Sequence, residues 1–214
     1  MSDDPAPRST PETLIEAALH LFGHRGFAPT STREIAARAG TNVASIAYHF
    51  GGKAGLRRAC AEAVAERIGS AIGPLDGAGA LPETPEGAQA LLDAALRRFV
   101  RFIVADPAAA DAVAFMLREL TDPGEAADVI YASVLEPRHR ALCALWGRAT
   151  GQPAESDAVK LAVFAAIGQA VYFRIAQPVI ARRLDWTAVG PDEAEAIAGL
   201  LAANLSAMIE SQRR

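Results

Sequence analysis

Residues 31–53 read Ser-Thr-Arg-Glu-Ile-Ala-Ala-Arg-Ala-Gly-Thr-Asn-Val-Ala-Ser-Ile-Ala-Tyr-His-Phe-Gly-Gly-Lys. Ser31 or Thr32 can cap a first helix, and Glu34, three residues after Ser31, completes a capping box that satisfies amides the helix leaves orphaned. Ile35, Ala36 and Ala39 give this helix an apolar side. Gly40 is free to take a positive φ at the turn, and Thr41 or Asn42 can cap a second helix running to about Phe50. Two short helices around a glycine turn make a helix-turn-helix.

On the N-terminal side, Ser9, Pro11 and Glu12 form a strong helix start, Leu14, Ala17, Ala18, Leu21 and Phe22 recur at helical spacing, and Gly26 stops the helix. Phe22, Phe27, Ile35, Ile46 and Phe50 then form an expected mini-core for a three-helix unit. Gly51 and Gly52 break the chain, and a long helix is expected from Lys53 to about Ile72. Gly73 to Pro85 is rich in Gly, Pro, Ala, Asp and Thr and reads as a loop. Beyond it, helix openings are expected at Thr84-Pro85, Asp106-Pro107, Asp122-Pro123 and Ser156 or Asp157, with a kink at Pro137. Pro178 to Trp186 forms an expected short extra helix, and a last helix spans roughly Pro191 to Glu210. No segment alternates apolar and polar residues. The fold class is therefore all-α, with about nine or ten helices, divided into 1–52 and 53–214.

The 214 residues, 51% apolar, supply ample core for one or two domains of a soluble globular chain. Met1 to Thr10 is short, acidic and Pro-containing, unlike a secretory signal, and the longest uncharged stretch, Leu161 to Phe173, is too short to span a bilayer. A cytoplasmic protein with no membrane partner is expected. Cys60 and Cys143 are far apart, with no CxxC spacing, and read as buried reduced thiols. The net charge of -4 argues against indiscriminate nucleic-acid binding, yet residues 1–60 hold seven Lys/Arg against five Asp/Glu, and the remainder fourteen against twenty. Only the N-terminal part has the sign for phosphates.

No His/Asp/Ser or Cys/His constellation, metal-ligand spacing or Gly-rich phosphate loop is present, so neither an enzyme nor a bound cofactor is expected. His20 and His24 stand one helical turn apart and can in principle share a metal. With no carboxylate or Cys in motif spacing, they read as solvent-exposed histidines, and no metal is expected.

Residues 158–176 are apolar nearly all round, with Ala162, Ala165, Ala166, Gly168 and Ala170 interleaved among larger side chains, which implies burial on two sides. The last helix, with Ile197, Leu200, Leu201, Leu205, Met208 and Ile209, offers a second such surface. The two either pair with their symmetry mates in a four-helix isologous interface or are central in a monomer.

The capped first helix, Thr30 to Gly40, the short helix ending Tyr48-His49-Phe50, and Lys53 after a glycine pair together resemble the DNA-binding domain of TetR-family transcriptional regulators. The form Asn42 to Lys53 resembles the CecR-like branch. So do Met116 to Leu120 followed by Asp122-Pro123, and Gly168-Gln169 through Tyr172 to Ala176 followed by Pro178 and Arg182-Arg183-Leu184. The resemblance implies an effector-responsive repressor, a homodimer whose N-terminal heads bind a palindromic double-stranded DNA operator and whose C-terminal helices bind a small-molecule effector and dimerise.

The chemistry of the head agrees. Asn42 and Val43 sit at the entrance of the second helix, the end that reaches base edges; Asn pairs with adenine, and Val43 or Ala47 meets a thymine methyl. Ser45 adds to sequence preference. Tyr48, Lys53, Thr32 and Arg33 are placed for phosphates, and His49 is either buried in the turn or a further phosphate contact. In the C-terminal part, Phe99, Phe102, Phe115, Met116 and Tyr172 either line a cavity or form core. Arg118, Glu119, Gln169 and Arg174 either orient a ligand there or, for the charged ones, form salt bridges. The other outcome is a protein-interaction adaptor with a vestigial head.

Overall fold

The computed structural model describes residues 9–75, 81–107, 109–121 and 125–213. The expected opening at Asp122-Pro123, the first eight residues and the middle of the Gly73–Pro85 loop lie outside them. The helices are α1 (Thr10–Arg25), α2 (Thr32–Arg38), α3 (Ala44–Phe50), α4 (Lys53–Ile72), α5 (Pro85–Val100), α6 (Ala109–Thr121), α7 (Glu125–Ile130), α8 (Glu136–Thr150), α9 (Asp157–Ile175), α10 (Gln177–Arg183) and α11 (Pro191–Gln212). α7 and α8 are continuous in sequence through a π turn, Tyr131–Leu135, and count as one element, which leaves ten helices and no strand among the described residues.

That π turn is how the chain accommodates Pro137. Proline lacks the N–H that would donate one turn back, so the ladder widens just ahead of it instead of breaking. A second π turn, Arg101–Ala105, extends α5 and ends where the Asp106 N–H donates to the Arg101 carbonyl at 3.2 Å.

The chain divides into two compact units. The first comprises residues up to Glu66 together with Ala110–Ser133, and the second comprises Arg67–Ala109 and Val134–Arg214. In the first unit α1, α2 and α3 close over Phe22, Ile35 and Ile46, all buried. Phe27 and Phe50 are only half-buried, with the Phe27 ring 5.4 Å from that of Phe22, and they leave one side of this core open. α6 supplies what they do not, with Phe115 fully buried and its ring 6.4 Å from that of Phe22. The approach is close because residue 23 is glycine: a Cβ there would lie 2.9 Å from the backbone nitrogen of Phe115.

In the second unit α11 packs along α5, α8 and α9. Leu92, Val100, Trp146, Val159, Ile197, Leu201 and Ile209 fill its interior. The Trp146 indole N–H, buried with its ring, donates to Gln212 Oε1 at 2.9 Å, so a large aromatic is buried without orphaning its one polar atom. The carbonyls at the end of α4 accept from Arg98 Nε at Ile72 (2.7 Å) and Arg138 Nη1 at Gly73 (2.8 Å), which caps that helix with two cations. Cys60 and Cys143 are buried thiols, and burial, reinforced by Glu155, pushes the Cys143 thiol up.

α9 reaches beyond the uncharged stretch Leu161 to Phe173, which is too short to span a bilayer. Its 19 residues are long and apolar enough to do so by length and composition. One side carries the buried Val159, Ala162, Val163 and Ala170, and the other leaves Leu161, Phe164, Tyr172 and Ile175 between 58% and 67% exposed.

Candidate nucleic-acid interface

α2 begins at Ser31, whose hydroxyl oxygen accepts the Glu34 N–H at 3.2 Å while the Glu34 carboxylate accepts the Ser31 N–H at 2.8 Å. The reciprocal box forms as the Ser-x-x-Glu spacing predicts. Those bonds, the Ser31 N–H first and its hydroxyl second, hold the Glu34 carboxyl below its ordinary range, with the Arg25 guanidinium adding to the effect. Arg25 Nη1 donates to the same carboxylate at 3.0 Å, tying the end of α1 to the start of α2.

The turn follows at Gly40, with φ of +65°, and the Thr41 N–H donates to the Ala36 carbonyl at 3.0 Å. A side chain at residue 40 would strain this left-handed conformation although it would meet no neighbour. α3 then starts on an Asx cap, the Ala44 N–H donating to Asn42 Oδ1 at 2.9 Å. The Ser45 and Thr41 hydroxyls are 3.3 Å apart. Ile46 is the one buried residue of α3, so helical geometry turns Ala44, Ala47 and Tyr48 outward.

The result is a short helix whose outer face is chemically sparse. Tyr48 is 85% exposed, its ring edge-on to that of His49, and Val43 at the helix entrance is 39% exposed. Asn42, Arg33 and His49 are exposed, Ser45 and Thr32 half-buried. The sequence left His49 between a buried and a surface position, and it lies on the surface. Asn42 Oδ1 serves as the cap, which leaves its amide N–H groups directed at no protein partner among the described hydrogen bonds.

Lys53 is more constrained than its spacing suggests. Its ammonium lies 4.3 Å from the centroid of the Phe27 ring and its Nζ donates to the Ala28 carbonyl at 3.4 Å. Desolvation, with the nearby Arg57 charge, lowers its pKa. The Arg57 guanidinium lies 4.5 Å from the same ring centroid. Phe27, whose ring also lies 5.4 Å from that of Phe22, is therefore a platform for two cations as well as a partner of the mini-core. Arg57 is held in turn by a bidentate pair with Glu119, at 2.9 and 2.6 Å, with the carboxylate almost wholly buried. Sequence reasoning missed this support, because its partners are separated by 62 positions.

The candidate ligand residues fall in both units. Phe115, Met116, Arg118 and Glu119 belong to the first unit. There Phe115 packs on Phe22, Met116 is buried, Glu119 binds Arg57, and Arg118 donates to the carbonyls of Gly23 (3.1 Å) and His24 (3.4 Å). Glu119 is thus engaged in a salt bridge and Arg118 in backbone hydrogen bonds. Phe99, Phe102, Gln169, Tyr172 and Arg174 belong to the second unit. Phe99 and Phe102 are half-buried, and Arg174 Nη1 donates to Gln177 Oε1 at 3.3 Å. Gln169 and Tyr172, with Gly168, Phe173, Leu200, Leu201 and Asn204, line an open groove of about 430 Å³ between α9 and α11. Asn204 Nδ2 donates to Gln169 Oε1 across its floor at 2.9 Å.

Comparison with known proteins bears directly on this geometry. Residues 14–60, which carry the helix-turn-helix, match the model of bacterial regulatory proteins of the tetR family. Residues 88–211 match that of the C-terminal domain of the HTH-type transcriptional dual regulator CecR. The chain is 35% identical over 189 residues to CecR of Shigella flexneri, covering 86% of this chain and 84% of that protein. Among solved structures it resembles a TetR-like transcriptional regulator from Rhodococcus sp. RHA1, with a TM-score of 0.67, 21% identity, and coverage of 94% and 97% of the two chains. It also resembles AibR, solved with isovaleryl coenzyme A and operator DNA, with a TM-score of 0.65, 19% identity, and coverage of 92% and 97%. The chain belongs to the TetR family of DNA-binding transcriptional regulators, in its CecR-like branch.

Proposed function

We propose that this regulator is an effector-responsive repressor that acts in the cytoplasm as a homodimer on a palindromic operator. The observation that carries the reading is the outer face of α3, where a capped, glycine-turned helix presents small side chains, Asn42 at its entrance and an 85% exposed Tyr48. Small residues let a helix seat deeply in the major groove, while Asn42, Val43 and Ser45 meet base edges and Tyr48, His49, Lys53, Thr32 and Arg33 meet phosphates. The recognition helix has no Arg or Lys, so direct guanine readout is modest. In this reading 1–52 serve DNA and 53–214 serve assembly and effector binding.

Two further observations support the dimer. Leu161, Phe164, Tyr172 and Ile175 recur along one side of α9 at intervals of three, eight and three residues, joined on that side by exposed Ala165 and Gly168. Leu200, Ala203 and Ala207 continue an exposed apolar surface on α11. An apolar stripe of this length is stable against water when covered, and two copies of the α9–α11 pair make a four-helix isologous interface.

The effector is assigned to the second unit, and AibR, a structural neighbour, binds both a coenzyme A thioester and operator DNA. In the mechanism proposed, DNA selects one spacing of the two heads and effector another, so each ligand weakens the other by the same factor. Selection of bound duplexes from a random pool tests the reading. Enrichment of an inverted repeat supports it, and a pool that remains random, or a single unrepeated half-site, overturns it.

A further inference from the structure

We propose that His20, His24 and Asp111 form a binding site for one divalent first-row transition-metal ion, with Zn²⁺ as its prototype, that clamps α1 to α6. This is a second site of the first unit, independent of the operator and effector readings. The sequence shows only the two histidines one turn apart on α1. No carboxylate stands in motif spacing with them, but in the structure Asp111, in the first turn of α6, comes in from 91 positions away.

The donor geometry fits. His20 Nδ1 lies 3.1 and 3.2 Å from the two carboxylate oxygens of Asp111, and His24 Nε2 lies 3.0 Å from one of them. One ligand atom from each of the three residues lies within 4.8 Å of the other two. Ligands held about 2.0–2.1 Å from a tetrahedral ion stand about 3.3 Å apart, so small rotations of the side chains admit a metal at their centre. Two imidazoles and a carboxylate are a donor set that leaves a fourth position for water. Side-chain exposures of 33%, 53% and 31% give an ion a way in without leaving the ligands loose.

The scaffold is built independently of any metal. Gly23 brings α1 against the α6 backbone, and Arg118 fastens α6 to the Gly23 and His24 carbonyls, immediately beside one ligand. The ion would therefore meet three donors already gathered, which lowers the ordering cost of binding. Without metal the same groups form His–Asp hydrogen bonds, and a measurement must separate the two states.

The test is titration of chelator-treated full-length protein with Co²⁺ and then Zn²⁺ near neutral pH. The expected result is the visible d–d absorption of four-coordinate Co²⁺ saturating at one ion per chain, its displacement by Zn²⁺, and a Zn²⁺-dependent rise in Tm. Asp111→Asn and His24→Ala, checked for native helicity by circular dichroism, should each weaken Zn²⁺ binding by roughly 100-fold. His139→Ala, which removes the histidine beside the Cys143 thiol, should leave it unchanged. Absence of the d–d bands, an identical Tm with Zn²⁺ and with chelator, or undiminished binding by Asp111→Asn would overturn the proposal.

Discussion

α3 and α9 both leave large apolar side chains in water, and they do so in opposite ways. On α3 the exposed groups are few and dispersed: Tyr48 carries a hydroxyl, Val43 stands at the entrance, and the alanines between them offer little area. On α9 the exposed groups form an unbroken stripe from Leu161 to Ile175, with no hydroxyl except that of Tyr172 and small residues between the large ones. A surface meant for a hydrated, charged duplex keeps its own hydrogen-bonding groups and low relief. A surface meant for another protein chain offers continuous area, worth roughly 25 cal/mol for each Å² removed from water. Exposure alone does not separate the two; composition and continuity do.

The strongest way to break this contrast is to charge the stripe. Phe164→Glu combined with Ile175→Glu places two carboxylates where the account puts a buried interface. The expected penalty is about 3–5 kcal/mol or more, a weakening of self-association by upwards of 100-fold. Sedimentation velocity should show a dimer converted to monomer, with helicity kept because both side chains are already exposed. An unchanged dimer would move the interface elsewhere.

Next in size is the support under the DNA-facing surface. Glu119→Ala leaves Arg57 without its buried partner and should cost about 3 kcal/mol in urea unfolding. Because Arg57 shares the Phe27 platform with Lys53, operator affinity should fall as well.

On α3 itself, Tyr48→Ala should leave Tm unchanged and weaken operator binding about tenfold, or about 1.4 kcal/mol, as read by fluorescence anisotropy. Lys53→Ala should weaken binding across sequences alike and reduce the slope of log affinity against log salt by about 1.

The smallest effect belongs to the capping box. Glu34 has its pKa lowered in the folded protein by the Ser31 bonds, so its contribution is present above its ordinary value of 4.5 and fades as pH falls through the folded value. Glu34→Gln should flatten that part of an acid titration of Tm and change little near neutral pH.

Much of the fold is legible in the sequence because its signals are local. Ser-x-x-Glu at Ser9 and Ser31, the glycines at 26, 40 and 51, and the X-Pro openings at Thr84 and Gly190 act within one turn of the residues that carry them. The outer face of α3 was equally accessible, since burying Ile46 fixes by helical geometry which neighbours face out. What the sequence concealed is set by packing at a distance. Phe27 reads as core, and it does meet Phe22, but the two cations stacked on it are not foreseeable, nor are the partners of Arg118 and Glu119 at Gly23, His24 and Arg57. Asp111 is unremarkable in its own helix and gains meaning only beside two histidines. No local pattern encodes such encounters.

The central claim, that α3 reads one half of a symmetric site on behalf of a two-headed molecule, is tested most directly by selecting bound duplexes from a random pool with wild-type protein and with the Phe164→Glu, Ile175→Glu variant in parallel. The account predicts an inverted repeat of fixed spacing for the wild type and loss of that spacing, with at most a weakly enriched half-site, for the variant. Enrichment of the same inverted repeat by both proteins, or of no sequence by the wild type, would contradict it.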